Sequence, residues 1–341
     1  MKILLIRVSS LGDVLHNMPI VDDLLRHFPD AQIDWVVEEA YVHLVKLNPG
    51  VRQIFAFALR RWRKSLFTSQ TRQEIKHFFT RLREQEYDLV LDTQGLLKTG
   101  IIMGMARITS TGKKIGLANG TESSGYEGIS RIFHTDSVAV DRRTHAVLRG
   151  RLVAAYAGGY KVDTPACFGL IKLYTESQPR PAWMPSKPYA VFFHGTAGAS
   201  KKWDRYNWVQ IAAPLIQQDL AILIPWGNAA EKAEAEQMAI QMQQAIVLPP
   251  LSMQDAIMLA QAASIVIGVD TGLTHIAAAY ETPTIEIYSG SPRWKTEGNW
   301  SDKIINLGDN GAPANFIEVQ NAIQKLLVAT IEQKKKSHQG D

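Results

Sequence analysis

Ser264-Ile265-Val266-Ile267-Gly268-Val269-Asp270-Thr271-Gly272-Leu273-Thr274-His275 is the stretch whose reading decides the architecture. Its first six residues form a short apolar, β-branched run, which predicts a strand over Ser264–Val269 buried on both faces. Asp270 then reads as a helix N-cap, with the helix starting at Thr271-Gly272 and running over Leu273–Tyr280. A strand that feeds a helix this abruptly is half of a βαβ unit, so the sheet should be parallel and covered by helices on both faces.

The same alternation extends in both directions. Downstream, Thr284–Tyr288 reads as a strand and Phe316–Glu332 as a helix. Upstream, strands are predicted at Tyr189–His194, Leu220–Pro225 and Ile246–Leu248, with helices over Asn207–Gln217, Ala229–Gln243 and Ser252–Ala262. Earlier still, strands are predicted at Lys2–Val8, Gln32–Val37, Val51–Phe57, Tyr87–Asp92 and Lys114–Leu117. The helices between and after them cover Val14–Phe28, the stretch through Val45, Thr71–Gln85, Leu96–Ala106 and Thr144–Ala157. Between the two series, Gly158, Gly159, Pro165, Pro179, Pro181, Pro185 and Pro188 break the pattern. The expected organisation is therefore α/β with two doubly wound, Rossmann-like domains facing a cleft: 1–160, a linker region 161–187, and 188–312. A C-terminal helix over 313–333 and a tail over 334–341 complete it.

Composition narrows the function classes. A chain of 341 residues accommodates two domains, and 46% hydrophobic with 21% charged residues is ordinary for a globular protein. The single cysteine, Cys167, excludes an internal disulfide framework and a cysteine-based zinc cluster, and is expected to be a buried, inert thiol. No stretch reaches the ~18 uninterrupted apolar residues of a membrane span, so a cytoplasmic location is expected. The net charge of +4 is unevenly placed, in Arg60-Arg61-Trp62-Arg63-Lys64 and Lys334-Lys335-Lys336. That suggests a local anionic partner and not nucleic acid.

Ligands of doubly wound sheets bind beyond the carboxyl ends of the strands, so the loops there carry the chemistry. At Asp270-Thr271-Gly272 a helix N-terminus offers unpaired N–H groups and a positive dipole end, which suits a diphosphate, and Gly272 permits close approach. The structural alternative is an N-cap followed by an ordinary helix histidine, His275. A second loop, His194-Gly195-Thr196-Ala197-Gly198-Ala199-Ser200-Lys201-Lys202-Trp203, combines small residues with two cations and could wrap an anionic leaving group. It lacks the spacing of a Walker loop, and no G-x-G-x-x-G fingerprint points to a nicotinamide enzyme. In Trp226-Gly227-Asn228-Ala229-Ala230-Glu231, Glu231 reads equally as a ribose-diol acceptor or as a first-turn glutamate. Asp13, in Ser9-Ser10-Leu11-Gly12-Asp13, reads either as an N-cap or as the carboxylate that takes a proton from an acceptor hydroxyl. Arginines and lysine in the run Arg60–Lys64 suit an anionic acceptor.

Taken in order, these loops resemble the lipopolysaccharide heptosyltransferases, type I, of glycosyltransferase family 9. The resemblance rests on Ser9–His16, Trp35-Val36-Val37-Glu38-Glu39, Arg60–Lys64, Asp92-Thr93-Gln94-Gly95-Leu96, Pro225-Trp226-Gly227 and Val269–His275, running from Met1 to about Gln324. It implies a GT-B fold and an inverting, metal-independent transfer of L-glycero-D-manno-heptose from ADP-heptose to the first Kdo residue of Kdo-lipid A. No cofactor is implied; ADP-heptose is the donor substrate. By position, the resemblance makes Asp13 the general base, Thr196 and Lys201 phosphate contacts, and Glu231 the ribose contact. It makes Asp270, Thr271, Gly272 and His275 the donor loop, and Arg60, Arg61, Arg63 and Lys64 the acceptor contacts. Ala197 stands where relatives often place a hydroxyl, and Leu251 where a methionine can pack near the base. Whether Lys201 or Lys202 takes the phosphate stays open. Ser10-Leu11-Gly12-Asp13 favours type I over type II, and a non-catalytic nucleotide-sugar-binding protein is the alternative from another class. A lipid-anchored acceptor implies peripheral association with the cytoplasmic face of the inner membrane.

Overall fold

A computed structural model of the chain describes residues 1–175, 177–243 and 245–337, with 330–337 as backbone. The chain divides into two compact units, Met1–Ile171 and Lys172–Asp341, a boundary inside the stretch 161–187.

In the first unit the order is β1 (Lys2–Ile6), α1 (Leu11–Leu15), α2 (Pro19–His27), β2 (Gln32–Glu38), α3 (Val42–Val45), β3 (Val51–Phe57) and α4 (Leu59–Trp62). Then come α5 (Ser69–Leu82), β4 (Glu86–Asp92), α6 (Leu97–Met105), β5 (Arg107–Leu117), a 3₁₀ helix (Gly128–Phe133), β6 (Asp136–Val138) and α7 (Ala146–Gly158). The second unit contains β7 (Tyr189–Phe193), α8 (Arg205–Gln217), β8 (Ala221–Ile224), α9 (Ala229–Gln241), β9 (Ala245–Val247) and α10 (Met253–Ala262). It continues with β10 (Ile265–Val269), α11 (Gly272–Ala279), β11 (Thr284–Tyr288), β12 (Ile304–Gly308) and α12 (Phe316–Ser337).

Each unit is built on a six-stranded sheet, ordered β3-β2-β1-β4-β5-β6 and β12-β11-β10-β7-β8-β9, with parallel pairing throughout. Numbered within its own unit, the second sheet repeats the first: strand order reverses between the first and fourth strands of each. That reversal opens a crevice beyond the carboxyl ends of β1 and β4, and another beyond β7 and β10. β1 from Ile3 onward, and β7 and β10 over their whole lengths, are apolar and buried because helices cover both faces. β4, by contrast, carries Glu86, Asp88 and Asp92 among its apolar residues. At Gly268 an added Cβ would collide with the Thr274 hydroxyl, so glycine is what lets α11 lie close against β10.

Several expectations need correction. The helix predicted over Val14–Phe28 is two helices, because Pro19 lacks an amide hydrogen and takes the N1 position of α2. The strand predicted at Lys114–Leu117 starts at Arg107 and pairs with β4 through a register shift, although its exposed first half gives it no apolar pattern. β6 and β12 carried no clear signal; β6 spans three residues and β12 is mostly half-buried. Cys167 is exposed, since it lies in the extended segment after α7. Its thiol is still held above the ordinary value, first by partial burial and then by Asp22. The tail expected over 334–341 overlaps α12 up to Ser337, and its last residues lie outside the described ones. Among the described residues no helix is long and apolar enough to cross a membrane.

Helices α2 and α7 are joined by a buried bidentate pair: Arg151 Nε donates to Asp23 Oδ2 at 2.7 Å and its Nη2 to Oδ1 at 2.8 Å. Removing one partner leaves a charge stranded in the interior. Arg151→Met should lower the unfolding free energy by about 3–5 kcal/mol, read as a shift of the urea midpoint; a shift under about 1 kcal/mol would show that the pair contributes little.

Candidate active site

The crevice of the second unit is organised by Asp270, which directly follows β10 and is 7% exposed. Asp270 is not the N-cap; Thr271 holds that position, in extended conformation and with no side-chain capping bond. The carboxylate is instead drawn into a network. Lys201 Nζ donates to its Oδ2 at 2.6 Å, and Ser291 Oγ donates to the same oxygen at 2.5 Å. His275 Nε2 lies 3.0 Å from Oδ1. On its other side, His275 Nδ1 lies 2.8 Å from Glu286 Oε1, and Glu286 Oε2 accepts from the Tyr288 hydroxyl at 2.8 Å and the Gly298 amide at 3.0 Å.

His275 is therefore not an isolated helix histidine. Burial opposes its charge, but the carboxylates of Glu286 and Asp270 more than compensate and hold it protonated, with a pKa raised to about 10. Burial likewise opposes the charge on Asp270, yet His275 and Lys201 keep it well below the usual carboxylate range. Lys201, His275, Asp270 and Glu286 thus form an alternating chain of charges. The uncapped start of α11 lies beside it, with its first-turn N–H groups lacking intrahelical acceptors.

The loop after β7 brings Lys201 here because Trp203 anchors its end. The Trp203 indole N–H donates to Ala314 O at 2.7 Å, inside a core shared with Trp208 and Phe192. The neighbouring lysine points elsewhere: Lys202 Nζ is 2.6 Å from Glu234 Oε2 on α9. Of the two, only Lys201 reaches the β10 loop. Thr196 is half-buried and Ala197 exposed in the same loop. Glu231 turns back on its own helix start, accepting from the Gly227 amide at 2.7 Å, and sits where a Cβ on Gly195 would strike it. Its Oε1 makes no hydrogen bond among the described residues. Leu251 is half-buried after β9, outside the charge network.

In the first unit the loops after β1 and β4 meet in the same way. Val8 N donates to Gln94 Oε1 at 2.9 Å, and the Ser9 hydroxyl accepts from Lys98 at 3.2 Å. Asp92 is the internal organiser of its loop, accepting from the Gln94 and Gly95 amides and the Thr99 hydroxyl. Asp13 is not the N-cap of α1; Ser10 is, and Asp13 Oδ2 accepts from the Ser10 amide at 3.1 Å and hydroxyl at 2.8 Å. Its other oxygen is 2.5 Å from the buried Arg7 guanidinium and 3.8 Å from Arg149. Burial works to raise the Asp13 pKa, but Arg7, Ser10 and His16 outweigh it and hold the carboxyl well below its usual range.

Of the basic run, Arg61 is already paired with Glu39 at 3.1 Å and Glu74 at 2.6 Å, and Arg60 Nη2 donates to the Tyr41 hydroxyl at 3.1 Å. Arg63 and Lys64 are exposed, and while their amides donate to Leu59 O and Arg61 O, their side chains make no hydrogen bond or ion pair among the described residues. Trp62 is buried against Phe57 and Phe78, so it is a core anchor. Sequence reasoning missed Arg7, Arg149, Glu286, Tyr288 and Ser291. The only available signal was charge or hydroxyl at or just after a strand end, which Arg7 and Tyr288 carry; Glu286 lies in the middle of β11.

Residues 75–326 match the profile of glycosyltransferase family 9 (heptosyltransferase). The chain belongs to this family. It is 36% identical over 311 residues to lipopolysaccharide heptosyltransferase 1 of Pseudomonas aeruginosa, covering 91% of this chain and 84% of that protein. Against the Salmonella typhimurium protein of the same name, identity is 31% over 290 residues, covering 84% and 88%. Among solved structures, the Escherichia coli heptosyltransferase WaaC with ADP superposes with a TM-score of 0.83 at 27% identity, covering 96% of this chain and 100% of that one. The chain is accordingly a glycosyltransferase with two Rossmann-like units of the GT-B type.

The raised pKa of His275 has a stability consequence with a defined sign. Its ion-pair contribution is fully present below about 6.5, where the unfolded histidine is also protonated, and is lost as pH rises toward about 10. Thermal unfolding followed from pH 6 to 10 should show wild type losing stability faster than His275→Gln over that interval. Parallel curves would mean that the buried histidine is neutral.

Proposed function

We propose that this family 9 enzyme transfers L-glycero-D-manno-heptose from ADP-heptose to the first Kdo of Kdo-lipid A, with inversion and without a metal ion. The observation that carries the donor half is the Lys201–Asp270–His275 network beside the uncapped start of α11. Lys201 and the α11 N–H groups meet the charge on the diphosphate, and Glu231 Oε1 is the acceptor offered to the ribose diol. Similarity to heptosyltransferase 1 sequences and to a heptosyltransferase bound to ADP supports the choice of sugar and nucleotide.

In the proposed reaction a Kdo hydroxyl oxygen bonds to the anomeric carbon as the bond from that carbon to the diphosphate oxygen breaks. The electron pair leaves with ADP, and the hydroxyl proton passes to Asp13. A carboxylate held as acidic as Asp13 is a weak base toward a resting hydroxyl. It becomes competent as the new C–O bond makes that proton acidic, and the Arg7 clamp fixes its direction. Arg60, Arg63 and Lys64 supply the charge for an anionic acceptor, with Arg61 holding the loop to Glu39 and Glu74. Such an acceptor sits in a bilayer, so the enzyme works at the cytoplasmic face of the inner membrane, attached in part by these cations.

Mass spectrometry of Kdo-lipid A incubated with enzyme and ADP-heptose, in the presence of a chelator, should show addition of one heptose to Kdo. Heptose on heptose, or no product until metal is restored, would overturn the reading. Asp13→Asn should lower kcat by about 10²–10⁴ while leaving the donor Kd near normal; near-normal turnover would remove Asp13 as the base. Lys201→Ala should weaken ADP binding and reduce kcat by about 10²–10³, whereas Lys202→Ala should change either by less than about threefold because its partner is Glu234. The reverse ranking, measured by calorimetry and steady-state kinetics, would reassign the phosphate contact.

A further inference from the structure

Helix α6 places Leu97, Ile101 and Met105 four residues apart, so their side chains form one line along it. Thr99, Ile102 and Met103 occupy the buried face, and the line at 97, 101 and 105 points away from the sheet, at 38%, 42% and 37% exposure. The 3₁₀ helix Gly128–Phe133 packs on α6, with Phe133 filling the space above Gly100 and Gly104. In it, Ile129 and Ile132 are 56% and 71% exposed, and at three residues per turn they eclipse one another. Single exposed apolar side chains are ordinary, but two aligned rows on adjoining elements of one layer mark a contact surface.

The charges bordering these rows have one predominant sign. At the start of α6, Lys98 lies close enough to Glu38, and then to Arg63 and Arg60, to feel their charge, and its Nζ donates to the Ser9 hydroxyl. At its end, Lys114 Nζ donates to Gly104 O at 3.0 Å and Arg83 Nη1 to Met105 O at 3.3 Å. Arg131 stands exposed between the two isoleucines, and neither helix contains an acidic residue. The nearest in sequence, Glu127, binds the Leu97 amide at 2.6 Å. Leu66 and Phe67, 45% and 89% exposed, follow the basic run after Ser65. Apolar rows with cations at both ends complement a bilayer, whose acyl boundary accepts the former and whose phosphates accept the latter.

We infer that the outer surface of α6 and the adjoining 3₁₀ helix is a membrane-docking face, seating Leu97, Ile101, Met105, Ile129 and Ile132 at the headgroup boundary of an anionic bilayer. The inference rests on the membrane-surface reading above and adds an apolar component to it. Binding should then weaken with salt without vanishing, because insertion is not screened.

The test is sedimentation of the full chain with vesicles of phosphatidylglycerol and phosphatidylcholine at low and high salt. Wild type should bind at low salt and retain a measurable fraction at high salt. The triple variant Ile101→Ser/Ile129→Ser/Ile132→Ser should lose about tenfold or more in partitioning and all of the salt-resistant fraction. Turnover of a lipid-free Kdo acceptor should be unchanged, which also reports that the variant is folded, and Ile240→Ser on α9, 85% exposed, should bind like wild type. If wild type binds and the triple variant binds equally, this face is wrong while the membrane reading stands. If wild type fails to bind, both fall. A wild-type dimer that the triple variant abolishes, with vesicle binding unaltered, would assign the face to a second copy of the chain.

Discussion

Asp270 sits at the end of a fully buried parallel strand, where an ionised carboxylate must be matched by charge and hydrogen bonds close at hand. Lys201, Ser291 and His275 do so from three different segments: the loop after β7, the loop after β11 and helix α11. Each partner adds a requirement of its own. A protonated, buried His275 needs Glu286, and Glu286 in turn needs Tyr288 and the Gly298 amide. The need to neutralise one carboxylate therefore fixes how the loops around the crevice are arranged. A phosphate group arriving there would find Lys201 already at hand beside the α11 N-terminus.

The first unit solves a related problem with a different balance. Asp13 is surrounded by Arg7, Arg149 and the Ser10 donors, with cations in excess. An excess of positive charge keeps the carboxylate ionised at the expense of its basicity. Repetition of the same strand order explains why both units carry their polar chemistry at equivalent places. In each, the reversal opens a crevice beyond the first and fourth strands, and polar groups from the loops that follow them meet there without breaking the sheet.

Much of this was legible in the chain itself. The apolar runs at Lys2–Ile6, Tyr189–Phe193 and Ile265–Val269 located the central strands, because strands covered on both faces cannot alternate polar and apolar residues. The exposed half of β5, which pairs only with β4, and the edge strands β6 and β12 left no such mark, since such segments are set by their neighbours. Pro19 was visible, yet whether it started a new helix or kinked a continuous one depended on packing.

The sequence by itself determined the α/β class, two doubly wound units and the loops in which polar chemistry is placed, because these follow from local periodicity. Only the tertiary structure decided which groups in those loops meet. It turned Asp270 and Asp13 from apparent N-caps into ion-paired carboxylates, separated Lys201 from its neighbour Lys202, exposed Cys167, and supplied Arg7 and Glu286. Some of these pairings, such as Lys201 with Asp270, join residues far apart in the chain, and others depend on how a loop turns back on its strand. The low dielectric of the interior makes them strong enough to matter.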